Sequence, residues 1–270
     1  MTLDINSHFP LRPEHIDLFR RNGFIRLKNA LPPATLAAYG AEISRHTFAL
    51  NTQTLPLEER STYDMAFLQV HNLWEHSPVV REFVFGKTLA RIAAELLEVR
   101  GVRLYHDQAL YKEPSGGITP AHADQYYWPL ATDRTVTAWI PLQPVPMEMG
   151  PLAFYAGSQS TSLGRDLGIS DESEREISSL MEAQGFAIVD EAFDLGEVSF
   201  HTGWTFHRAG ANTTVTPRAV MTIIYMDEDM RLKAPDSAAQ HKDWVQWCPG
   251  AVPGELIRTA KNPLLYSSSP

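Results

Sequence analysis

Residues 121–129 read AHADQYYWP and follow a Pro-Ser-Gly-Gly turn at 114–117. A glycine- and proline-rich turn of this kind commonly bounds an extended segment. In an extended segment, the side chains at positions i and i+2 project to the same face. His122 and Asp124 are therefore predicted to bind one metal ion together.

The His-x-Asp pattern occurs three times in the chain, so its spacing alone is weak evidence. His15-Ile16-Asp17 lies in a predicted helix, where residues i and i+2 do not face each other. His241-Lys242-Asp243 contains the last histidine of the sequence, so no later histidine completes it. The triplet at 122–124 is therefore the predicted metal motif.

His207 is the predicted third ligand because it ends a predicted strand, residues 197–206. The chain then turns and starts a new strand at Arg218, and such a hairpin places Arg218 beside His207. Two histidines and one carboxylate with open positions form the facial triad of non-haem iron(II) oxygenases. Zinc hydrolases also use this ligand set. Arg218 favours iron, because a guanidinium matches the carboxylate of a co-substrate in a bidentate pair.

The hydrophobic pattern changes near residue 102. Apolar residues recur at helical spacing before this point, whereas short β-branched and aromatic segments follow it. This order predicts a mainly β fold with flanking helices, in which a helical layer buttresses a β-sandwich or barrel. We expect one domain over residues 1–270, with a helical buttress at about 10–100, a barrel at about 102–227, an insertion at about 160–190 and a C-terminal extension at about 228–270.

The insertion is predicted to carry a short helix, because Ser173-Glu174-Arg175-Glu176 is a capping-box pattern. Its sequence leaves two roles open. The segment is either a solvated surface loop or a lid over the site.

Composition limits the partners and the location of the protein. A formal net charge of -9 argues against nucleic acid and anionic membranes as partners, since proteins that bind them carry a basic face. Cys248 is the single cysteine, so no disulfide or cysteine zinc cluster can form within the chain. The N-terminus lacks a signal-like pattern, and no apolar run approaches the roughly 18 residues of a membrane span. We expect a cytoplasmic protein that acts on a small molecule, and the oligomeric state stays open.

The sequence resembles the phytanoyl-CoA dioxygenase-like (PhyH) family of iron(II)/2-oxoglutarate oxygenases over residues 15–227. The matching segments are RNGFI at 21–25, AHADQ at 121–125 with YWP at 127–129, VTAWIPL at 136–142, GPL at 150–152 with AGSQ at 156–159, and His207 with Arg218. Two positions depart from the family. Gln159 stands where a histidine is usual, and Ala209 stands where a serine is frequent.

The resemblance implies a double-stranded β-helix, or jelly roll, of the cupin-like kind. It also implies that His122, Asp124 and His207 are the catalytic iron(II) ligands. Arg218 is then expected to pair with the distal carboxylate of the co-substrate 2-oxoglutarate, which is consumed with O2 to give succinate and CO2. Related halogenases carry a small residue in place of Asp124, so this sequence favours oxygenation.

Further residues are assigned to the cavity. By resemblance, Gln108 is expected to contact the keto-acid end of 2-oxoglutarate. Thr137 is expected to bond the co-substrate from an inner strand face. His201 is predicted to be structural, because in a straight strand it lies about 20 Å from His207. The predicted substrate-pocket residues are Tyr105, Lys112, Tyr127, Trp128 and Trp139.

These observations predict a dioxygenase that hydroxylates an unactivated carbon of a natural-product or catabolic small molecule. Desaturation, epimerisation and cyclisation use the same ligands and stay as alternatives. A zinc-dependent hydrolase and a non-catalytic metal-binding sensor on the same barrel are further alternatives. The net acidity disfavours a polyanionic substrate such as an acyl-CoA.

Overall fold

The computed structural model describes residues 3–268, which form helices and strands in a mixed order. The helices are α1 (Pro13–Asn22), α2 (Pro33–Leu50), α3 (Thr62–Ala66), α4 (Pro78–Val84), α5 (Lys87–Leu97), α6 (Asp171–Ala183) and α7 (Ala238–Trp247). The strands are β1 (Phe24–Leu27), β2 (Leu68–His71), β3 (Gly101–Lys112), β4 (Thr119–His122), β5 (Thr135–Pro141), β6 (Leu152–Tyr155), β7 (Ile188–Val189), β8 (Val198–Thr202), β9 (His207–Ala209), β10 (Arg218–Asp227) and β11 (Leu264–Ser267). Within residues 3–268, no helix is both long enough and apolar enough to span a membrane.

The strands form two antiparallel sheets. The larger sheet has the order β1-β8-β5-β10-β3-β11, with β2 also paired to β3, and the smaller sheet has the order β4-β9-β6-β7. Five helices precede β3, so the helical part of the chain comes first. This arrangement confirms the prediction of a mainly β, jelly-roll-like fold with flanking helices.

The larger sheet separates a helical core from a cavity. In β5, Ala138 and Ile140 pack toward the helices, whereas Thr137 and Trp139 line the cavity on the other face. This alternation follows from the pleat of a strand, which points successive side chains to opposite faces. Strands β8 and β10 alternate in the same way. The helical side is filled by apolar residues of α2 and α5, including Leu36, Tyr39, Ile43 and Ile92.

The strand predicted over residues 197–206 is interrupted. β8 ends at Thr202 in the larger sheet, and β9 begins at His207 in the smaller sheet. Residues 203–206 make the turn between them, and Thr205 donates its backbone N–H to Thr202 at 3.0 Å. A Cβ at Gly203 would lie 2.4 Å from the side-chain oxygen of Gln125 and 2.9 Å from the ring of Trp128, so glycine lets the chain pass close to these side chains. The chain therefore crosses between sheets just before His207.

Helix α6 packs on the strand that carries the metal motif. Ile177 and Met181 are buried against Ala121 and Phe206. Glu174 accepts a hydrogen bond from the backbone N–H of Ala121 at 2.7 Å and pairs with Arg208. The insertion is thus anchored to β4 and β9 in this structure.

Candidate active site

Strand pairing brings the three predicted ligands together. His122 ends β4 and lies directly opposite His207, the first residue of β9. Asp124 opens the short 3-10 turn that follows β4. One ligand atom from each of the three residues lies within 4.8 Å of the other two. The structure therefore places side chains 122, 124 and 207 around one point, as the spacing argument expected.

Both imidazoles are oriented by backbone carbonyls. The Nδ1 atom of His122 lies 2.7 Å from the carbonyl oxygen of Pro120, and Nδ1 of His207 lies 2.9 Å from that of Thr205. A carbonyl accepts only, so Nδ1 carries the proton in each ring and Nε2 keeps its lone pair. The Nε2 atoms lie 3.6 Å and 3.7 Å from Oδ1 of Asp124. Two Nε2 lone pairs and one carboxylate oxygen thus converge.

The second carboxylate oxygen of Asp124 is held from the larger sheet. Thr137 donates its hydroxyl to Oδ2 at 3.2 Å, and Nε2 of His201 lies 3.3 Å from the same oxygen. The expectation that His201 lies far from the ligands is wrong, because it assumed a straight strand through residues 201–207. The turn after Thr202 folds the chain back, and the rings of His201 and His207 are 4.5 Å apart.

The charge states of these groups suit a divalent metal. Burial lowers the pKa of His207 to about 3, so its imidazole is neutral at neutral pH. Burial by itself would raise the pKa of Asp124, but the surrounding imidazoles of His207, His122 and His201 hold it well below its usual range. Neutral imidazoles and an ionised carboxylate are the donor set that ferrous iron binds. The residues present therefore fit an iron(II) ion.

Arg218 lies in the same cavity at the first position of β10. Its side chain is 1% exposed, and Nη1 donates to the carbonyl oxygen of Gly150. Its Nε has no hydrogen-bond partner among residues 3–268. Burial lowers the pKa of Arg218 to about 9, which still leaves the guanidinium charged at neutral pH. A buried charged donor without a partner is costly, so this site is suited to an anionic ligand.

The cavity has a volume of about 480 Å³ and joins the metal motif to Arg218. Gln108 lies on its wall, where its Oε1 accepts a hydrogen bond from Gln69 at 2.7 Å. Ala209 also lines it, whereas Gln159 bonds the carbonyl of Arg20 instead. Other predicted residues on the wall are Thr137, Tyr127, Trp128 and Trp139.

Tyr105 and Lys112 do not line the cavity, contrary to the prediction. The Tyr105 ring packs behind His106 and Trp128, because it belongs to the cluster beneath the C-terminal segment. Lys112 is fully buried, and its Nζ donates to the backbone carbonyls of Gly117 and Gly210. Burial lowers the pKa of Lys112 to about 6. Lys112 therefore links the turns at Gly117 and Gly210 beside the site.

Several cavity residues were not assigned from the sequence. His71, His106, Asp243 and Trp247 all contribute to the wall, and so does Tyr63. Asp243 belongs to the third His-x-Asp triplet. The useful signal was the helical spacing of residues 239, 242, 243, 246 and 247, which places one face of α7 on the cavity.

Comparison with known proteins agrees with this geometry. The family model for phytanoyl-CoA dioxygenase (PhyH) matches residues 19–220. A comparison with curated protein sequences gives no match.

Solved structures give the same fold. The non-haem α-ketoglutarate-dependent carbocyclase SnoK from nogalamycin biosynthesis has a TM-score of 0.77 at 24% identity, covering 94% of this chain and 96% of its own. The epimerase SnoN in complex with Fe3+, α-ketoglutarate and nogalamycin RO has a TM-score of 0.74 at 24% identity, covering 94% and 98%. EctD from S. alaskensis with 2-oxoglutarate and 5-hydroxyectoine has a TM-score of 0.71 at 18% identity, covering 96% and 92%.

The family match spans most of the chain, and the cavity holds a donor set that fits iron beside a buried arginine. The chain belongs to the phytanoyl-CoA dioxygenase (PhyH) family and is a non-haem iron enzyme that uses 2-oxoglutarate and O2.

Proposed function

We propose that His122, Asp124 and His207 hold the iron, that Arg218 binds the distal carboxylate of 2-oxoglutarate, and that the enzyme hydroxylates an unactivated carbon of a small molecule. The observation that carries this proposal is the meeting of three ligand atoms within 4.8 Å in the cavity that also contains Arg218. When bound, iron and 2-oxoglutarate activate O2 and oxidise the substrate, with release of succinate and CO2.

The protein itself orients the metal ligands and keeps water away from the reacting groups. The carbonyls of Pro120 and Thr205 keep both Nε2 atoms unprotonated and directed at the metal position. Thr137 and His201 occupy Oδ2 of Asp124, which leaves Oδ1 for the metal. The substrate is then held beside the ligands in a cavity whose wall includes aromatic side chains such as Trp128 and Trp139. Such walls exclude water from the reacting groups.

Arg218 supports an oxygenase over a zinc hydrolase on the same ligands. Hydrolysis requires only a metal-bound water and a base, and it has no use for a buried guanidinium with a free donor. A dicarboxylate co-substrate needs one, since an arginine fork binds a carboxylate through two parallel hydrogen bonds. The free Nε of Arg218 is the donor that such a carboxylate would satisfy.

The role of Arg218 is tested by 2-oxoglutarate binding under anaerobic conditions with Fe(II) present. Arg218→Ala is expected to weaken binding by about 100-fold or more, since a buried charged pair is lost. Arg218→Lys restores little, because an ammonium lacks the planar fork. Iron affinity, measured in the same samples, stays near the wild-type value. Unchanged 2-oxoglutarate affinity in both variants would remove Arg218 from the account.

The hydroxylation outcome is tested by mass spectrometry of products from a panel of small molecules, with labelled O2. Hydroxylation adds one labelled oxygen to the product. Desaturation or ring closure instead removes two hydrogens and adds no label, and epimerisation leaves the mass unchanged. A labelled product supports hydroxylation, and any other pattern replaces it with the corresponding reaction.

A further inference from the structure

Helix α7 contributes one face to the cavity. Ala239, Lys242, Asp243, Gln246 and Trp247 all line it, and this spacing places them on one side of the helix. Gln240 anchors the helix through a hydrogen bond from its Nε2 to the carbonyl of Tyr126, in the turn that follows Asp124. These residues lie outside the family match, which ends at residue 220. The matched segment therefore supplies the metal and co-substrate groups, and α7 adds a wall from the part of the chain that follows it.

Two imidazoles pack against the tryptophan of this helix, that of His106 stacked and that of His71 tilted. The ring of His106 lies 4.5 Å from that of Trp247 at an interplanar angle of 24°. The ring of His71 lies 4.8 Å from the same indole at 36°. We call His71, His106, Asp243 and Trp247 the α7 wall. Its aromatic members are flat rings, which suits contact with another flat ring.

The imidazoles of the α7 wall are uncharged. Burial lowers the pKa of His71 to about 4 and that of His106 to about 3. The Nδ1 atom of His106 is buried and has no hydrogen-bond partner within residues 3–268. Each nitrogen of a neutral imidazole either donates or accepts one hydrogen bond, and leaving that bond unmade in a buried site is costly. A ligand hydroxyl, which can both donate and accept, would supply the missing partner.

The charges of the cavity disfavour a polyphosphate ligand. Among the described lining residues, the lysine and arginine cations are Lys242 and Arg218, and the carboxylates are Asp124 and Asp243. Under the proposed function, Asp124 serves the metal and Arg218 serves 2-oxoglutarate. The remaining pair is one exposed lysine next to one carboxyl in sequence. Binding of a CoA diphosphate requires several cations, so this cavity is not built for an acyl-CoA.

We propose that the α7 wall binds a flat, uncharged ring compound whose hydroxyl group forms a hydrogen bond with Nδ1 of His106. This inference rests on the proposed function, since it assigns Arg218 and the metal triad to other ligands. It makes the α7 wall, which combines residues of α7, β2 and β3, the determinant of substrate specificity. The substrate class is a small hydroxylated ring compound and not a CoA thioester.

Calorimetric titration of the Fe(II)- and 2-oxoglutarate-loaded protein under anaerobic conditions tests the proposal. The probes are 1,5-dihydroxynaphthalene, naphthalene and hexadecanoyl-CoA. The diol is expected to bind about three- to tenfold more tightly than naphthalene, which is the value of one hydrogen bond. Hexadecanoyl-CoA is expected to bind more weakly than either. Tighter binding of the CoA ester, or no binding of the diol, would overturn the proposal.

Two variants separate stacking from hydrogen bonding. Trp247→Ala is expected to weaken the binding of both naphthalene compounds at least tenfold, because it removes the largest ring of the wall. His106→Phe keeps a ring but loses the hydrogen-bonding nitrogen, so the diol and naphthalene should then bind with equal affinity. Trp244→Ala is the matched control. It shortens a tryptophan of the same helix that bonds Ala251 and does not line the cavity, so the diol affinity should persist.

The outcomes also distinguish this inference from the proposed function. If the wild-type protein converts 2-oxoglutarate to succinate with Fe(II) but Trp247→Ala and His106→Phe leave diol affinity unchanged, only the α7 wall assignment fails. If the wild-type protein shows no iron-dependent conversion, the proposed function fails. Melting temperatures show whether either variant is unfolded. If one is, the diol affinity of the other, folded variant decides the α7 wall assignment.

Discussion

The Nε2 atom of His201 lies 3.3 Å from Oδ2 of Asp124, although 77 positions separate the two residues. The contact crosses from the larger sheet to the turn after β4. Thr137 donates its hydroxyl to the same oxygen from the neighbouring strand β5. The two contacts together fix the rotation of the Asp124 carboxylate. Groups that orient metal ligands commonly affect metal affinity nearly as much as the ligands do.

Replacement of His201 should therefore weaken metal binding. His201→Phe keeps the ring volume and removes the hydrogen bond to Asp124, and we expect Fe(II) affinity to fall about 10- to 100-fold. Anaerobic metal titration measures this. Ser199→Ala is the control, since Ser199 lies on the same strand and its hydroxyl has no partner among the described residues. Wild-type affinity in His201→Phe would show that the contact does not position Asp124.

Thr137 has two possible roles, which substitutions can distinguish. If its hydroxyl positions Asp124, Thr137→Val should lower Fe(II) affinity about three- to tenfold, the value of one hydrogen bond, and leave 2-oxoglutarate affinity unchanged. Thr137→Ser should restore metal binding because the hydroxyl returns. If only 2-oxoglutarate affinity falls, Thr137 bonds the co-substrate instead, as the sequence-based prediction has it.

Glu174 links the insertion to the metal strand. Glu174→Ala leaves the backbone N–H of Ala121 without its acceptor, which costs about 1–3 kcal/mol when the group stays buried. We expect a lower melting temperature and weaker Fe(II) binding, with partial rescue in Glu174→Gln. Hydrogen exchange of α6 provides the contrast with a lid. Protection that is lost in Glu174→Ala supports a fixed brace, and a wild-type α6 that exchanges as fast as an open loop would contradict it.

Asp107 gives a pH-dependent prediction. Burial raises its pKa to about 7, although its oxygens accept hydrogen bonds from the N–H groups of Leu73 and Trp74. In the unfolded chain the pKa is near the ordinary 3.8, so the folded state binds more protons between these values. Its stabilising contribution is complete below about pH 4 and is lost as the pH rises to about 7.

Asp107→Asn removes this titration. The free energy of unfolding of Asp107→Asn relative to wild type should therefore increase from pH 5 to pH 7, by up to about 1.4 kcal/mol per pH unit. Urea denaturation at several pH values measures the difference, in which the titration of all other groups cancels. A difference that is constant with pH would mean that Asp107 titrates normally.

The convergence of His122, Asp124 and His207 could be predicted because most of its information is local. His122 and Asp124 project together from one extended segment, and His207 and Arg218 flank a single turn-like stretch. The fold class followed from the change of hydrophobic period near residue 102. These features need only the geometry of one or two elements.

The remaining site residues depend on contacts between distant elements. His201 was placed far from the site because the turn at Gly203 was not recognised, although a glycine within a predicted strand often marks such a break. Trp247 lies on a helix whose docking against the cavity is a tertiary outcome. Tyr105 and Lys112 occupy the same strand as Gln108, yet Tyr105 packs behind His106, and the amine of Lys112 donates to the carbonyls of Gly117 and Gly210.

The measurement that tests the central claim most directly is the conversion of 2-oxoglutarate to succinate by purified protein with added Fe(II) and O2. We expect the wild-type protein to release succinate only when Fe(II) is present, and His207→Ala to abolish this release while remaining folded. Full succinate release by a folded His207→Ala variant would contradict the assignment of His122, Asp124 and His207 as the iron ligands.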